Sequence, residues 1–479
     1  MGNKGIFFNF VWRFAERSGA QIVMFIVSIV LARLLSPDTY GTIALITVFI
    51  SIIQIFVDSG LGNALIQKKD ADELDFSTVF YINILLSTGL YILIFIFAPV
   101  IARFYNNVSM VSMIRVLGLT IIVAGLKNVQ QAYVSRNMLF KRFFYSTLGG
   151  TICAAVIGIT LAYRGYGVWA LIAQNLINIF VDTSILWITV KWRPKKVFSK
   201  KRFAELFSYG WKLMASSLLD TGYTNLQALI IGHKYSPADL GLYNQGNKFP
   251  NLIVNNVNTS IDSVLLPAMS SVQDEHQYVK HITRKSIMVS VYILAPFMIG
   301  LSVIAEPLIK ILLTDKWLPC IPYLRVFCIT YMFWPIHTAN LDAIRAIGRS
   351  DLVLKLQIVK CFTGLIILFI TMPHGVMAIA YGSLVDSVIS QFINTWPNGK
   401  LLNYKYIDQM RDLFPAIIAS VFMGGIIYPV CYLKISNVLI LIIQIFMGIL
   451  IYIGVSILFK VESFYYILGI IKALFSKKK

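Results

Sequence analysis

The fold class that this sequence predicts is an all-α polytopic membrane protein, with about 14 transmembrane helices in two pseudo-symmetric six-helix lobes plus two C-terminal helices. Three observations predict it. Apolar residues make up 57% of the 479 and charged residues only 13%, with a mean hydropathy of +0.73, whereas a soluble domain carries about a quarter charged. Apolar stretches of the roughly 20 residues that a bilayer-crossing helix needs recur along the whole chain. One short element also occurs twice, because Ser36-Pro37-x-x-x-Gly41 returns as Ser236-Pro237-x-x-x-Gly241.

The expected crossing segments in the first lobe are 9–34, 41–66, 77–102, 112–136, 144–163 and 168–190. Lys4 precedes an apolar run too long for a signal-peptide core and without a small-residue cleavage site, so the first helix is expected to stay. The basic stretch 191–205 then links the lobes. The second lobe contributes 206–232, 240–268, 286–305, 321–345, 352–371 and 375–396, and the segments 413–433 and 436–459 follow. The implied division is 1–190, a linker 191–205, 206–400, 401–460 and a tail 461–479. Lys472 and Lys477 to Lys479 suit a tail lying against anionic lipid.

Lys and Arg cluster in alternate loops, including Lys68 with Lys69, Arg136 with Lys141 and Arg142, and Lys200 to Arg202. The expected location is the cytoplasmic (inner) membrane, and the positive-inside rule then puts both termini in the cytoplasm. It also accounts for most of the net charge of +20 without nucleic acid as a partner. The five cysteines are odd in number and scattered through apolar segments, so they read as packing residues, neither a disulfide framework nor a metal site. No cofactor is expected.

A second anchor supports duplication. Gly167-Val168-Trp169-Ala170 opens the sixth segment and Gly375-Val376-Met377-Ala378 the twelfth, an offset of 208. Six segments separate equivalents, so both lobes run in the same direction. In each Ser-Pro-x-x-x-Gly copy the proline suits the first position of a helix.

Basic residues within crossing segments include Arg13, Arg17, Arg115, Lys127, Lys212, Lys248, Arg325 and Lys360. Each costs about 2.5 to 3.5 kcal/mol at a helix centre, so several must face a wet interior. Arg13, Glu16, Arg17 and Gln21 share one helix face. The seventh segment carries Lys212, Ser216, Asp220, Tyr223 and Gln227 in a stripe. Arg13 lies 23 residues before Ser36 and Lys212 lies 24 before Ser236, so the two cations sit at matching places in the two lobes. The eighth segment is more polar still, with Asn244, Asn247, Asn251, Asn255, Asn258 and Asp262 spaced 3, 4, 4, 3 and 4 and Lys248 beside them. Among the acids within segments, Asp342 and Arg345 read as a structural i,i+3 pair. Asp182, Asp386 and Asp220 are candidates for proton or sodium coupling.

Leu31 to Pro37 with Tyr40-Gly41, then Asp58-Ser59-Gly60-Leu61-Gly62-Asn63-Ala64-Leu65-Ile66-Gln67, then Ala98-Pro99-x-Ile101-Ala102-x-Phe104-Tyr105, resemble the Wzx-type flippases of polysaccharide repeat units. The likeness is to the fourteen-span branch of colanic-acid and teichuronic-acid exporters, in the multidrug/oligosaccharidyl-lipid/polysaccharide superfamily. It implies a polyprenyl diphosphate-linked oligosaccharide as cargo, moved by alternating access. It also implies membrane lipids, a polysaccharide polymerase and chain-length machinery as partners. The residue chemistry agrees, since Arg binds a diphosphate through paired donors and Lys as a point charge. Arg13, Arg17, Lys212 and Lys248 are therefore the expected diphosphate ligands. Asn251, Asn255 and Gln227 are expected to meet sugar hydroxyls.

A drug/ion antiporter would need acids to dominate its cavity, which the excess of bases opposes. A lipid II flippase shares the span count and the cations, and only the quoted motifs favour the polysaccharide branch. A membrane glycosyltransferase or polymerase would need catalytic carboxylates on a substantial outer loop. The largest such loop, from Glu306 to Cys320, is short and has no Asp-x-Asp, so no enzyme is expected.

Overall fold

Ser36 and Ser236 begin the helices that organise the chain, each by the same local chemistry. The Thr39 amide donates to Ser36 Oγ (3.3 Å), and the Asp239 amide donates to Ser236 Oγ (3.1 Å) while the Ser236 amide donates to Asp239 Oδ2 (3.2 Å). Pro37 and Pro237 take the first helical positions, where a missing N–H costs nothing. The computed structural model describes residues 3–58, 60–68 and 70–476. The side chains of 3–11, 13–15, 17, 209, 213, 220, 260, 262–264, 350, 470, 471 and 473–476 are not described. Among the described residues the secondary structure is helical throughout, without a strand.

The helices are α1 (Asn3–Leu34), α2 (Pro37–Asp58), α3 (Leu61–Gln67), α4 (Glu73–Phe104), α5 (Met110–Arg136), α6 (Phe140–Tyr163), α7 (Val168–Thr189), α8 (Lys200–Lys234) and α9 (Pro237–Ser270). They continue as α10 (His276–Val303), α11 (Ala305–Leu312), α12 (Ile321–Met332), α13 (Trp334–Ala346), α14 (Ser350–Thr371), α15 (Val376–Leu401), α16 (Tyr406–Ile427), α17 (Asn437–Leu458) and α18 (Glu462–Ser476). Ten helical stretches among the described residues are long and apolar enough to cross a membrane. This is a multi-pass membrane protein. The expected first, seventh, eighth and tenth crossings are outside those ten, so the count of fourteen is not reached on this measure. In α1 the apolar stretch among the described residues is Ser18–Leu34, α8 and α9 carry the polar stripes, and the expected tenth crossing is broken into α12 and α13 at Phe333.

Two compact units divide the chain, Met1–Gly241 and Leu242–Lys479. In the first, α6 packs on α7 and α1, α4 on α5, and α2 on α5 and α8. The basic stretch after α7 is a docked strap. Trp192 is buried, the Lys195 amide donates to Ser77 Oγ (3.0 Å), and the Ser199 amide donates to Thr78 Oγ1 (3.1 Å). The start of α4 is fixed by a reciprocal cap between Asp72 and Asp75, and Lys68 Nζ meets the buried Asp75 at 2.8 Å. The Asp75 amide bonded to its side chain holds the Asp72 carboxyl below the usual carboxylate range.

The duplicated turn closes on itself within the first unit. A Cβ on Gly41 would stand 1.5 Å from the Pro237 carbonyl oxygen, and one on Gly241 would stand 2.1 Å from the Pro37 carbonyl oxygen. Each glycine exists so that the other copy's proline can approach.

In the second unit α10 packs on α16, α14 on α15, and α12 and α13 on α15. Arg284 grips Asp412 with two bonds of 2.8 Å, and Tyr404 Oη donates to the same carboxylate at 2.8 Å. The tail is the helix α18, tied to α10 by Glu462 with Lys285 (2.5 Å) and by Ser463 Oγ donating to the Met288 carbonyl (3.3 Å). Two in-span cations serve matching structural roles. Arg115 Nε donates to the Phe95 carbonyl in one unit and Arg325 Nε to the Ser302 carbonyl in the other, both at 3.3 Å. The pair Asp342–Arg345 forms at 3.1 Å as its spacing predicts. All five cysteines are free thiols.

Candidate functional site

A cavity of about 550 Å³ opens within the first unit, lined by residues of α1, α2, α3, α5, α6, α7 and α8. The corner after α2 delivers part of it. Asp58 ends α2, and the chain then turns through Gly60 at φ 67°, a left-handed conformation that glycine adopts without strain. A side chain there would also meet the Gly210 carbonyl oxygen of α8 at 2.3 Å. This turn brings Asp58 and Asn63 to the cavity wall.

Charge defines its interior. Lys127 of α5 pairs with Asp182 of α7 at 2.5 Å, and both side chains are mostly withdrawn from solvent, at 17% and 9% exposure. The second oxygen of Asp182, Oδ1, is buried with no hydrogen-bond partner among the described residues. Asp58 Oδ1 accepts from Asn128 Nδ2 (2.8 Å) and from Gln54 Nε2 (3.3 Å). Glu16 is buried and accepts from Thr147 Oγ1 at 3.2 Å. Among the described residues the lining thus holds three carboxylates, Glu16, Asp58 and Asp182, against the one ammonium of Lys127. Asn63, Asn128, Gln131, Ser135, Thr147 and Ser217 add neutral donors and acceptors. Oxygen-rich walls with an excess of acid suit a proton or a small hard cation.

The predicted residues are distributed as follows. Asp182 lines the cavity. The side chains of Arg13, Arg17 and Asp220 lie outside the described residues. Lys212 is exposed on α8 and Gln227 half-buried on the same helix. Lys248 and Asn251 are half-buried and Asn255 exposed on α9, in the second unit, where Asp386 of α15 is half-buried. The asparagine stripe is knitted to α12. Tyr331 Oη donates to Asn247 Oδ1 (2.7 Å), Asn251 Nδ2 donates to Tyr331 Oη (3.2 Å), and Asn255 Nδ2 donates to Asn251 Oδ1 (2.6 Å).

The sequence model of a family described as polysaccharide biosynthesis protein matches residues 30–322, more than half of the chain. The chain belongs to that family. Curated proteins similar to this family member include the teichuronic acid biosynthesis protein TuaB of Bacillus subtilis (strain 168), 25% identical over 390 residues and covering 79% of each chain. The succinoglycan biosynthesis transport protein ExoT of Rhizobium meliloti (strain 1021) is 22% identical, covering 80% of this chain and 76% of the relative. The lipopolysaccharide biosynthesis protein WzxC of Escherichia coli (strain K12) is 23% identical, covering 76% and 74%. Among solved structures, the lipid II flippase MurJ in an inward closed conformation superposes with a TM-score of 0.75 at 15% identity, over 94% of this chain and 98% of that one. An inward-facing multidrug resistance MATE family transporter of the MOP superfamily gives 0.59, also at 15%, over 82% and 99%. The polysaccharide biosynthesis protein therefore has the fold of these transporters.

In this family member the pairing of Lys127 with Asp182 and of Asn128 with Asp58 escaped the sequence. All four residues stand inside apolar segments where they are visible as costly groups. Their partners lie 55 and 70 positions away along the chain, and no helical periodicity connects them.

Proposed function

We propose that this protein is a flippase that carries polyprenyl diphosphate-linked oligosaccharide repeat units across the cytoplasmic membrane by alternating access, for the assembly of a surface polysaccharide. The observation that carries this reading is the family match joined to the position of the polar stripes. The long helices that depart furthest from a lipid-facing composition are α8 and α9, and α9 and α12 are hydrogen-bonded through amides and a tyrosine. Side chains of that kind in a bilayer serve a cargo with many hydroxyls.

Arg13, Arg17, Lys212 and Lys248 receive the diphosphate, and Asn251, Asn255 and Gln227 the sugars. The acid-rich cavity of the first unit, with Asp182 at its charged pair, takes the proton or sodium ion that drives the cycle. Asp220 and Asp386 are further candidates for that ion. Both termini lie in the cytoplasm, where the cargo is made. The protein moves its cargo unaltered, so no group in it is assigned a catalytic role.

Replacing Arg17 and Lys212 together by alanine abolishes complementation of an export-deficient strain while protein levels stay normal. Undiminished export by that variant overturns the assignment of the cations.

A further inference from the structure

We infer that the second unit contains a carbohydrate-recognition subsite where α9 meets the break between α12 and α13, built from the asparagine stripe, Tyr331 and Trp334. The inference rests on the flippase reading and names the part of the cargo that this place binds.

α9 runs unbroken from Pro237 to Ser270 with a proline inside it, while the crossing it meets is broken. Pro250 stands within α9, one residue before Asn251, and cannot donate to the carbonyl one turn earlier. Phe333 separates α12 from α13 with φ −94° and ψ 2°, and Pro335 follows it. Asn251 is 14 residues into α9 and Trp334 is 13 residues past Ile321, each about 20 Å along its helix and so deep within a hydrocarbon core of about 30 Å. A break such as that at Phe333 is tolerated at such depth where it lines a polar site.

The side chains there match a sugar. An amide donates and accepts, as a hydroxyl does, so a ladder of asparagines can hold neighbouring hydroxyl groups. Tyr331 organises that ladder by bonding Asn247 and Asn251. Asn258, two turns from Asn251 on the same face, is 7% exposed, and neither its Oδ1 nor its Nδ2 has a partner among the described residues. An amide buried and unmet in this way costs free energy until a ligand or water satisfies it. Trp334 supplies the apolar half of the chemistry. Its ring meets Tyr331 edge-on at 5.4 Å and His337 at 5.9 Å, yet it remains 38% exposed. A fixed, partly open indole beside amides suits the C–H face and hydroxyl rim of a pyranose. Lys248, three residues before Asn251 and half-buried, stands next to the site for the anionic end of the same molecule.

The test uses the full-length protein in nanodiscs and two probes, undecaprenyl diphosphate and the lipid-linked oligosaccharide recovered from cells lacking the protein. The wild type binds the glycosylated lipid more tightly than the bare one. Trp334→Ala reduces that preference about tenfold, the scale of one aromatic contact, and leaves affinity for undecaprenyl diphosphate unchanged. Asn255→Ala, at an exposed position that packing does not need, lowers the preference in the same direction. It supplies the answer if Trp334→Ala fails to fold. Equal preference in the wild type and in the folded variants overturns the subsite while the flippase reading stands. A wild type that binds neither probe overturns the flippase reading itself.

Discussion

Lys127→Ala lowers the stability of the first unit by about 3 to 5 kcal/mol, the usual cost of leaving one member of a buried ion pair without its partner. The reason is specific to this site. Among the described residues Asp182 already has one oxygen without a hydrogen bond, and the other is held by Lys127 at 2.5 Å. Removing the ammonium strands a carboxylate among the walls of α5, α6 and α7. The double variant Lys127→Ala/Asp182→Asn recovers most of the loss, because the stranded charge is gone. Thermal unfolding in detergent measures both, and a single variant as stable as the wild type contradicts the geometry. The functional consequence runs in the opposite direction. On the proposal that Asp182 takes the coupling ion, the double variant folds and its export no longer responds to the ion gradient.

Gly41→Val is expected to reduce export more than tenfold. A Cβ at that position would occupy space 1.5 Å from the Pro237 carbonyl oxygen, which is backbone and cannot swing aside. The starts of α2 and α9 must then separate, and the packing of α8 on α2 follows them. Gly241→Ala acts on the same crossing through Pro37, so the combination of the two is no worse than the more severe single change. Complementation of an export-deficient strain, normalised to protein level, reads the effect. Wild-type export by Gly41→Val contradicts the close crossing.

What the sequence disclosed followed from the range of the interactions involved. The helix starts at Pro37 and Pro237 were legible because a proline at the first helical position is a local signal, and Asp342–Arg345 because i,i+3 is one helix face. The repeated turn was legible in the sequence, although the reciprocal approach of its two copies was not. The break in the tenth crossing had a visible signal in Trp334-Pro335, masked by the apolar residues on both sides. The docking of the strap after α7 was hidden because its hydroxyl partners, Ser77 and Thr78, are unremarkable members of an apolar helix. Lys127 and Asp182 were visible as expensive residues, but their pairing is a property of how α5 and α7 pack. The asparagine stripe was legible from its spacing. Its anchor, Tyr331, was not, since one tyrosine among many carries no mark of its partner.

The most direct measurement of the flippase reading is translocation itself. Purified protein is reconstituted into liposomes carrying the lipid-linked oligosaccharide, and sugar diols in the outer leaflet are oxidised with membrane-impermeant periodate. Liposomes with the protein are expected to expose the protected inner pool progressively, and to do so more slowly with Arg17→Ala/Lys212→Ala. Exposure at the rate of protein-free liposomes contradicts the reading.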